Sequence, residues 1–149
     1  MRVQELLEDK GMAVHTIPGD FTVGEAISFM LGKNTSALIV AQDDQPMGIF
    51  TERDVIRCHL QHGEMTISEL NIQQAMTNKL IVAEPNDDID KALSLMIQMD
   101  IRHLPVAQAG RIIGMLSIRD LTQHYITSLT AELEYLQEYI ADLQEAGRD

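Results

Sequence analysis

Gly48-Ile49-Phe50-Thr51-Glu52-Arg53-Asp54 returns sixty-six residues later as Gly114-Met115-Leu116-Ser117-Ile118-Arg119-Asp120. The same register runs back without a gap through Val40 and Val106, Leu38 and Leu104, Met30 and Met96, Ser28 and Ser94, and Ala26 and Ala92, to Thr22 and Asp88. Two copies of one unit therefore fill most of the 149 residues. A unit that cannot bury its own apolar face stacks on its copy, which predicts one composite core with pseudo-two-fold symmetry and two related clefts.

Working outward, Val3, Leu6 and Leu7 recur at helical spacing before Lys10-Gly11, a helix stop. Val14-His15-Thr16-Ile17 is a short strand halted by Pro18-Gly19. Thr22, with Glu25 three residues on, opens a helix whose buried stripe is expected to use Val23, Ile27, Met30 and Leu31. Ala37-Leu38-Ile39-Val40-Ala41, the turn at Asp43-Asp44-Gln45-Pro46, and Met47-Gly48-Ile49-Phe50 form a hairpin, and Thr51 opens the next helix. The second copy repeats this order: a strand over 80–83, a helix over 89–99, a hairpin about Ala109-Gly110 and a helix opening at Ser117. Pro105 lacks a donor and marks an edge strand or a strand end. The expected class is α+β, with two β-α-β-β-α repeats plus a C-terminal amphipathic helix. The expected organisation is a leading helix over 1–12, repeats over 13–64 and 79–125, a short helical linker over 65–78, and an acidic helix over 126–149.

In that last segment Ile126, Leu129, Leu133, Leu136, Ile140 and Leu143 follow a 3-4-3-4-3 spacing, a heptad seam shorter than a long coiled coil. Glu132, Glu134, Glu138, Asp142 and Glu145 accompany it with almost no base before Arg148. The expectation is a helix that docks on a partner subunit or pairs antiparallel, ahead of an isolated coiled-coil dimer.

Hydrophobic residues at 45% make the chain globular, and its net charge of −12 disfavours a nucleic-acid backbone or an anionic membrane surface. A small anion remains acceptable where a few arginines converge. The N-terminus carries acids where a signal peptide would be apolar, no run is long enough to span a bilayer, and the single cysteine, Cys58, suits a reducing compartment. The reading is cytoplasmic.

The duplicated Gly-apolar-apolar-Thr/Ser-x-Arg-Asp has a plain explanation: a hydroxyl followed three residues later by an acid is a helix cap. The same helix mouth is also an anion site. In that second role hydroxyl and first-turn N–H groups meet a phosphate, Arg53, Arg119 and Arg102 add charge-assisted contacts, and Asp54 or Asp120 accepts from a vicinal diol such as ribose. Cys58, His59 and His62 are too few for a zinc site, so no metal is expected. No Walker loop, nucleophile elbow or reactive-cysteine context is present, so no enzyme is expected.

Paired units ending in Gly-apolar-apolar-Thr/Ser-x-x-Asp resemble tandem CBS domains, the Bateman module, over about residues 1 to 125. Leu6-Leu7-x-x-Lys10-Gly11, Ala75-Met76-Thr77 and Arg102-His103-Leu104-Pro105-Val106 are similar to that family too. The resemblance implies a stand-alone regulatory module that binds AMP, ADP, ATP, NAD or S-adenosylmethionine between its repeats, needs no cofactor, and works as a homodimer on an effector in trans. It implies one site from Thr51, Arg53 and Asp54 with Thr16 and Ile17. It implies a second from Ser117, Arg119 and Asp120 with Ile81, Val82 and Ala83, whose backbone would hold the adenine edge. Arg102 and His103, in place of Ser36 and Ala37, give the second more donors. The competing reading is a ligand-free dimerisation or adaptor protein in which the motifs serve only as caps.

Overall fold

The computed structural model describes residues 1–62 and 66–147. Gly63 and Glu64 at the expected end of the first repeat, Met65 at the start of the expected linker, and Arg148 and Asp149 lie outside the described residues. The elements are α1 (Val3–Lys10), β1 (Thr16–Pro18), α2 (Val23–Lys33), β2 (Ala37–Gln42), β3 (Gln45–Thr51), α3 (Glu52–His62), a 3₁₀ turn (Ile67–Glu69), α4 (Ile72–Ala75), α5 (Ile89–Met99), β4 (His103–Gln108), β5 (Arg111–Ser117) and α6 (Ile118–Ala146). The class is mixed α+β with two repeats, as expected. β1 runs parallel to β2, β2 antiparallel to β3, and β4 antiparallel to β5.

The sixty-six-residue register reaches single backbone angles. α2 and α5 both end on a left-handed residue, Asn34 at φ 51° and Asp100 at φ 52°. Both hairpins turn on two positive-φ residues, Asp43-Asp44 and Ala109-Gly110, the backbone that a two-residue loop between right-twisted strands requires. Both ladders slip at the same place, after Val40 and after Val106.

The strand expected over 80–83 shrinks to one parallel bridge between Ala83 and Val106. Pro105 is the reason. In the first repeat the Ile39 N–H donates to the His15 carbonyl at 2.9 Å and extends the ladder. Pro105 stands where Ile39 would and has no N–H to give. The pairing is therefore limited to Ala83 N–H to the Pro105 carbonyl, 2.9 Å, and Ala107 N–H to the Ala83 carbonyl, 2.8 Å. The α2 stripe also differs from expectation: Val23, Ala26 and Met30 are buried, while Leu31 is 78% exposed and its register mate Ile97 68%.

α1 does not serve the repeat that follows it. Val3, Leu6 and Leu7 are buried with Leu104, Val106, Leu116 and Leu121 of the second repeat, whereas Ile72 and Ala75 of α4 close the first over Val23, Leu38 and Phe50. The backbone repeats the arrangement: Val3 N–H donates to the Asp87 carbonyl and Ile72 N–H to the Phe21 carbonyl, both at 2.8 Å. Leading helix and linker are thus one element used twice. The alignment of Val3-Gln4-Glu5-Leu6-Leu7 with Ile72-Gln73-Gln74-Ala75-Met76 carries it, offset by three residues from the main register.

Each helix presses on a motif glycine. A Cβ on Gly48 would stand 2.6 Å from the Thr77 carbonyl oxygen and 2.8 Å from Met76 Sδ, and one on Gly114 would stand 2.8 Å from both Leu7 methyl carbons. Finally, the sequence divides the C-terminal region at Ile126, but α6 is one uninterrupted helix of 29 residues. Its first turns are anchored by buried Leu121 and by Tyr125, whose hydroxyl donates to Asp90 on α5.

Gly48→Ala should cost about 1–3 kcal/mol in urea unfolding, because a backbone carbonyl cannot step aside, and Gly114→Ala should cost less, because Leu7 can change rotamer. Leu7→Ala should cost roughly 2–5 kcal/mol. A Leu7→Ala cost below about 1 kcal/mol would mean that α1 does not close the second core.

Candidate functional site

The two repeats meet where β3 and β5 touch, and a cleft of about 340 Å³ opens beside that seam. From the first repeat it receives Ile49, Thr51, Arg53 and Asp54, which β3 and the first turn of α3 present together. From the end of the linker comes Thr77, and from the start of the second repeat Lys79. From the second repeat come Ile81, Met99, Arg102 and His103. The cleft therefore joins residues that the sequence assigns to separate sites: Thr51, Arg53 and Asp54 from one, Ile81, Arg102 and His103 from the other. Thr16, Ile17, Val82, Ala83, Ser117, Arg119 and Asp120 do not line it. Ile17 and Ala83 are core residues, Thr16, Val82 and Arg119 are exposed, and Ser117 and Asp120 form the mouth of α6.

The two aspartates are in different states. Asp54 is 3% exposed and both its oxygens are engaged. Oδ2 accepts from the Thr51 N–H at 2.9 Å, while Oδ1 accepts from the Thr77 hydroxyl at 2.8 Å and from the Arg57 guanidinium at 2.7 Å. Arg57 also donates to the Ala75 carbonyl, 2.9 Å, which locks α3 to α4. Asp54 thus faces the cleft as a saturated carboxylate, because α4 and its Thr77 flank close over it. Asp120 is more open. Its Oδ2 accepts from the Ser117 N–H at 2.8 Å and pairs with Lys10 Nζ at 3.1 Å, Oδ1 has no hydrogen bond among the described residues, and Ser117 Oγ accepts from the Asp120 N–H in a reciprocal cap. The second motif caps its helix reciprocally, as the plain reading of the sequence holds; in the first only the acid half is present, because the Thr51 hydroxyl donates to Asp54 Oδ2 at 3.4 Å and does not accept a helix N–H.

Across the cleft, Arg53 donates to the Asp100 carbonyl at 2.6 Å and lies 3.6 Å from its carboxylate, linking α3 to the left-handed end of α5. Asn34 takes the place of Asp100 at the other end of the pseudo-dyad and has no carboxylate, and among the described residues Arg119 makes no matching tie to it. His103 Nε2 and Ser36 Oγ share a hydrogen bond of 2.8 Å between the repeats. Burial holds the His103 imidazole below its ordinary value; Glu52 and Asp120 pull it back up, and Arg102 and Arg53 push it further down. Arg53 and Arg57 spend their charge on Asp100 and Asp54. Lys79 and Arg102 have no ion pair among the described residues, so in a chain of net charge −12 the cleft keeps cations for an incoming anion. Ile49, Ile81, Met99 and Pro105 supply apolar walls. The arrangement can bind a flat apolar group carrying a negative tail.

Sequence reasoning missed several of these groups. Arg57 sits three residues after Asp54 on one helical face, a legible signal. Thr77 and Lys10 were in view only as parts of the junction and of the leading helix, and Lys79 carried no signal. Among the described residues no three of His, Cys, Asp or Glu gather to hold a metal, and no helix is long and apolar enough to cross a membrane.

A sequence model of the CBS domain matches residues 9–60 and again 67–126. The chain is 35% identical over 126 residues, 81% of its length, to the CBS domain-containing protein CBSX3, mitochondrial, of Arabidopsis thaliana, and spans 61% of that relative. Among solved structures it is similar to the CBS-domain containing protein ATU1752 from Agrobacterium tumefaciens, at TM-score 0.80 and 30% identity, covering 84% of this chain and 99% of that one. The CBS domain pair of protein MJ0100, solved in complex with 5′-methylthioadenosine and S-adenosyl-L-methionine, shares the fold at TM-score 0.76 and 19% identity, covering 86% of this chain and 98% of that one.

His103 gives the cleft a pH signature. Its folded pKa lies below the unfolded value, so it takes up a proton more readily when unfolded, and stability falls as pH drops through the unfolded value toward the folded one. Wild type should lose more stability than His103→Gln between about pH 7 and about pH 5. Urea titrations at both pH values check this, and identical losses would remove His103 as the titrating group.

Proposed function

The chain belongs to the CBS domain family, and on that premise we propose that it is a regulatory module whose inter-repeat cleft binds a small anionic adenosyl ligand. The observation that carries the proposal is the cleft's chemistry: Lys79 and Arg102 with no ion pair among the described residues, the Thr51 hydroxyl and Arg53 at the mouth of α3, and apolar walls at Ile81 and Met99. The compounds held by the MJ0100 pair, a neutral thioether nucleoside and a sulfonium, support the adenosyl part of that ligand; its negative charge is argued from Lys79 and Arg102 alone. AMP, ADP and ATP suit a cationic rim best, with NAD and S-adenosylmethionine as the further candidates. In this reading Arg102 and Lys79 meet phosphate, and the Ile81 backbone meets the base edge. Asp54 acts by holding Thr51 and Arg57 in place, since both its oxygens are engaged. A ligand anion competes with Asp100 for Arg53, so binding loosens the tie between α3 and α5 and changes how the repeats pack. That change is the signal a partner in trans would read, in the cytoplasm and without catalysis.

The reciprocal cap at Ser117, and the Thr51 N–H held by Asp54, favour a second reading, an adaptor that binds no ligand. Thermal unfolding separates the two. An adenine nucleotide at about 100 times its dissociation constant should add about 2.7 kcal/mol, a rise of roughly 5 to 10 °C in Tm. Arg102→Ala combined with Lys79→Ala should remove most of that rise while leaving the unliganded Tm near wild type. No rise with any of the five ligands, or a rise that the double variant keeps, would leave the adaptor reading standing.

A further inference from the structure

We propose that α6 pairs with α6 of a second copy of this chain as a short parallel coiled coil. The C-terminal part of this helix lies beyond the matched CBS segment, which stops at residue 126, and the Agrobacterium structure, covered over 99% of its own length, leaves 16% of this chain unmatched. The seam is unpartnered: Ile126, Leu129, Leu133, Leu136, Ile140 and Leu143 are all between 52% and 62% exposed. Six half-exposed aliphatic side chains in one stripe are too much apolar surface for a helix meant to stand in water.

The positions within the heptad choose the occupant. Ile126, Leu133 and Ile140 fall on the a positions, and Leu129, Leu136 and Leu143 on the d positions. β-Branched isoleucine at two of the three a positions, with leucine at every d, favours two parallel strands. The acids do not oppose this, contrary to the expectation from composition. Glu134, Glu138, Asp142 and Glu145 fall on b, f, c and f, which point away from a partner helix. Only Glu132, at g, borders the seam. In a parallel pair its neighbour is Gln137 of the partner subunit, an amide that can donate to the carboxylate. The next such pair is Tyr139 with Gln144 of the partner subunit, also without charge. Antiparallel pairing would stack a positions on d positions and discard the Ile-over-Ile, Leu-over-Leu layering.

The anchoring gives the pair a consequence for the repeats. α6 is one rigid helix from its Ser117 cap, and the seam begins nine residues later, about 14 Å along the axis. A parallel pair puts both Ser117 mouths at the same end of the dimer, so any displacement at one mouth is passed along a continuous helix to the shared seam.

The test uses the full chain in analytical ultracentrifugation and oxidative cross-linking. The native chain should self-associate, and Leu136→Glu should weaken that association at least tenfold. Because Leu136 lies outside both cores, the variant should keep its circular dichroism spectrum. Leu129→Cys in a Cys58→Ser background should cross-link to itself on oxidation, since parallel pairing stacks Leu129 on Leu129 of the partner subunit, whereas antiparallel pairing places it opposite position 140. A native chain that is monomeric, an association that Leu136→Glu leaves unchanged, or a Leu129→Cys variant that does not cross-link would each overturn the proposal.

Discussion

The fold depends on a close approach. Met76 lies over Gly48 and Leu7 over Gly114, at separations that leave no room for a Cβ. Each repeat has one strand face that its own sequence segment cannot cover, and the helix that covers it arrives from just before the other repeat. α1 reaches forward past the whole first unit to close the second core, and α4, between the units, turns back to close the first. The glycine makes that contact possible, and the contact fixes how the two units are strung together. The cleft follows from it. Residues 76–81, held down at Gly48 by Met76 and by paired Thr77 and Ile49 hydrogen bonds of 2.8 and 2.9 Å, form one wall.

The same closure explains why the duplicated motif is not used twice in the same way. In the first copy the chain after α4 delivers Thr77 onto Asp54, and Arg57 completes the seal. In the second copy the corresponding place is taken by Lys10, whose ammonium donates to the Met115 carbonyl at 2.5 Å and leaves Asp120 half-open. Heptapeptides of one pattern, sharing Gly, Arg and Asp, thus present a buried, saturated carboxylate at one mouth and a partly open one at the other. Arg53 on Asp100, with Asn34 at the mirrored position, adds to the asymmetry. The difference between the two mouths comes from flanking residues, not from the motif.

Much of this was legible in the sequence. The Gly48/Gly114 repeat placed the hairpins, the α2 and α5 helices and the caps, because a duplicated register converts every local signal into two. Three things were less visible. The exchange of α1 and α4 is carried by an alignment with a three-residue offset and by no local preference. The joining of Thr51, Arg53 and Asp54 with Arg102 and His103 is a property of how the units face each other, which no spacing within a unit encodes. The loss of the strand over 80–83 needed the partner of Pro105 to be known, since a missing donor matters only where a neighbour asks for it. Leu31 illustrates the limit of periodicity: the apolar stripe is wider than the face that its own core covers.

The central claim is that the space between the repeats, bounded by Lys79, Arg102 and His103, is where an adenosyl anion sits. The most direct measurement is a heteronuclear NMR titration of the labelled full chain with AMP and ATP. The account predicts shifts concentrated at residues 79–81, 100–103 and 51–53, with the His103 ring among them and the C-terminal half of α6 quiet. Shifts confined to Ser117, Arg119 and Asp120, or none at saturating nucleotide, would contradict it.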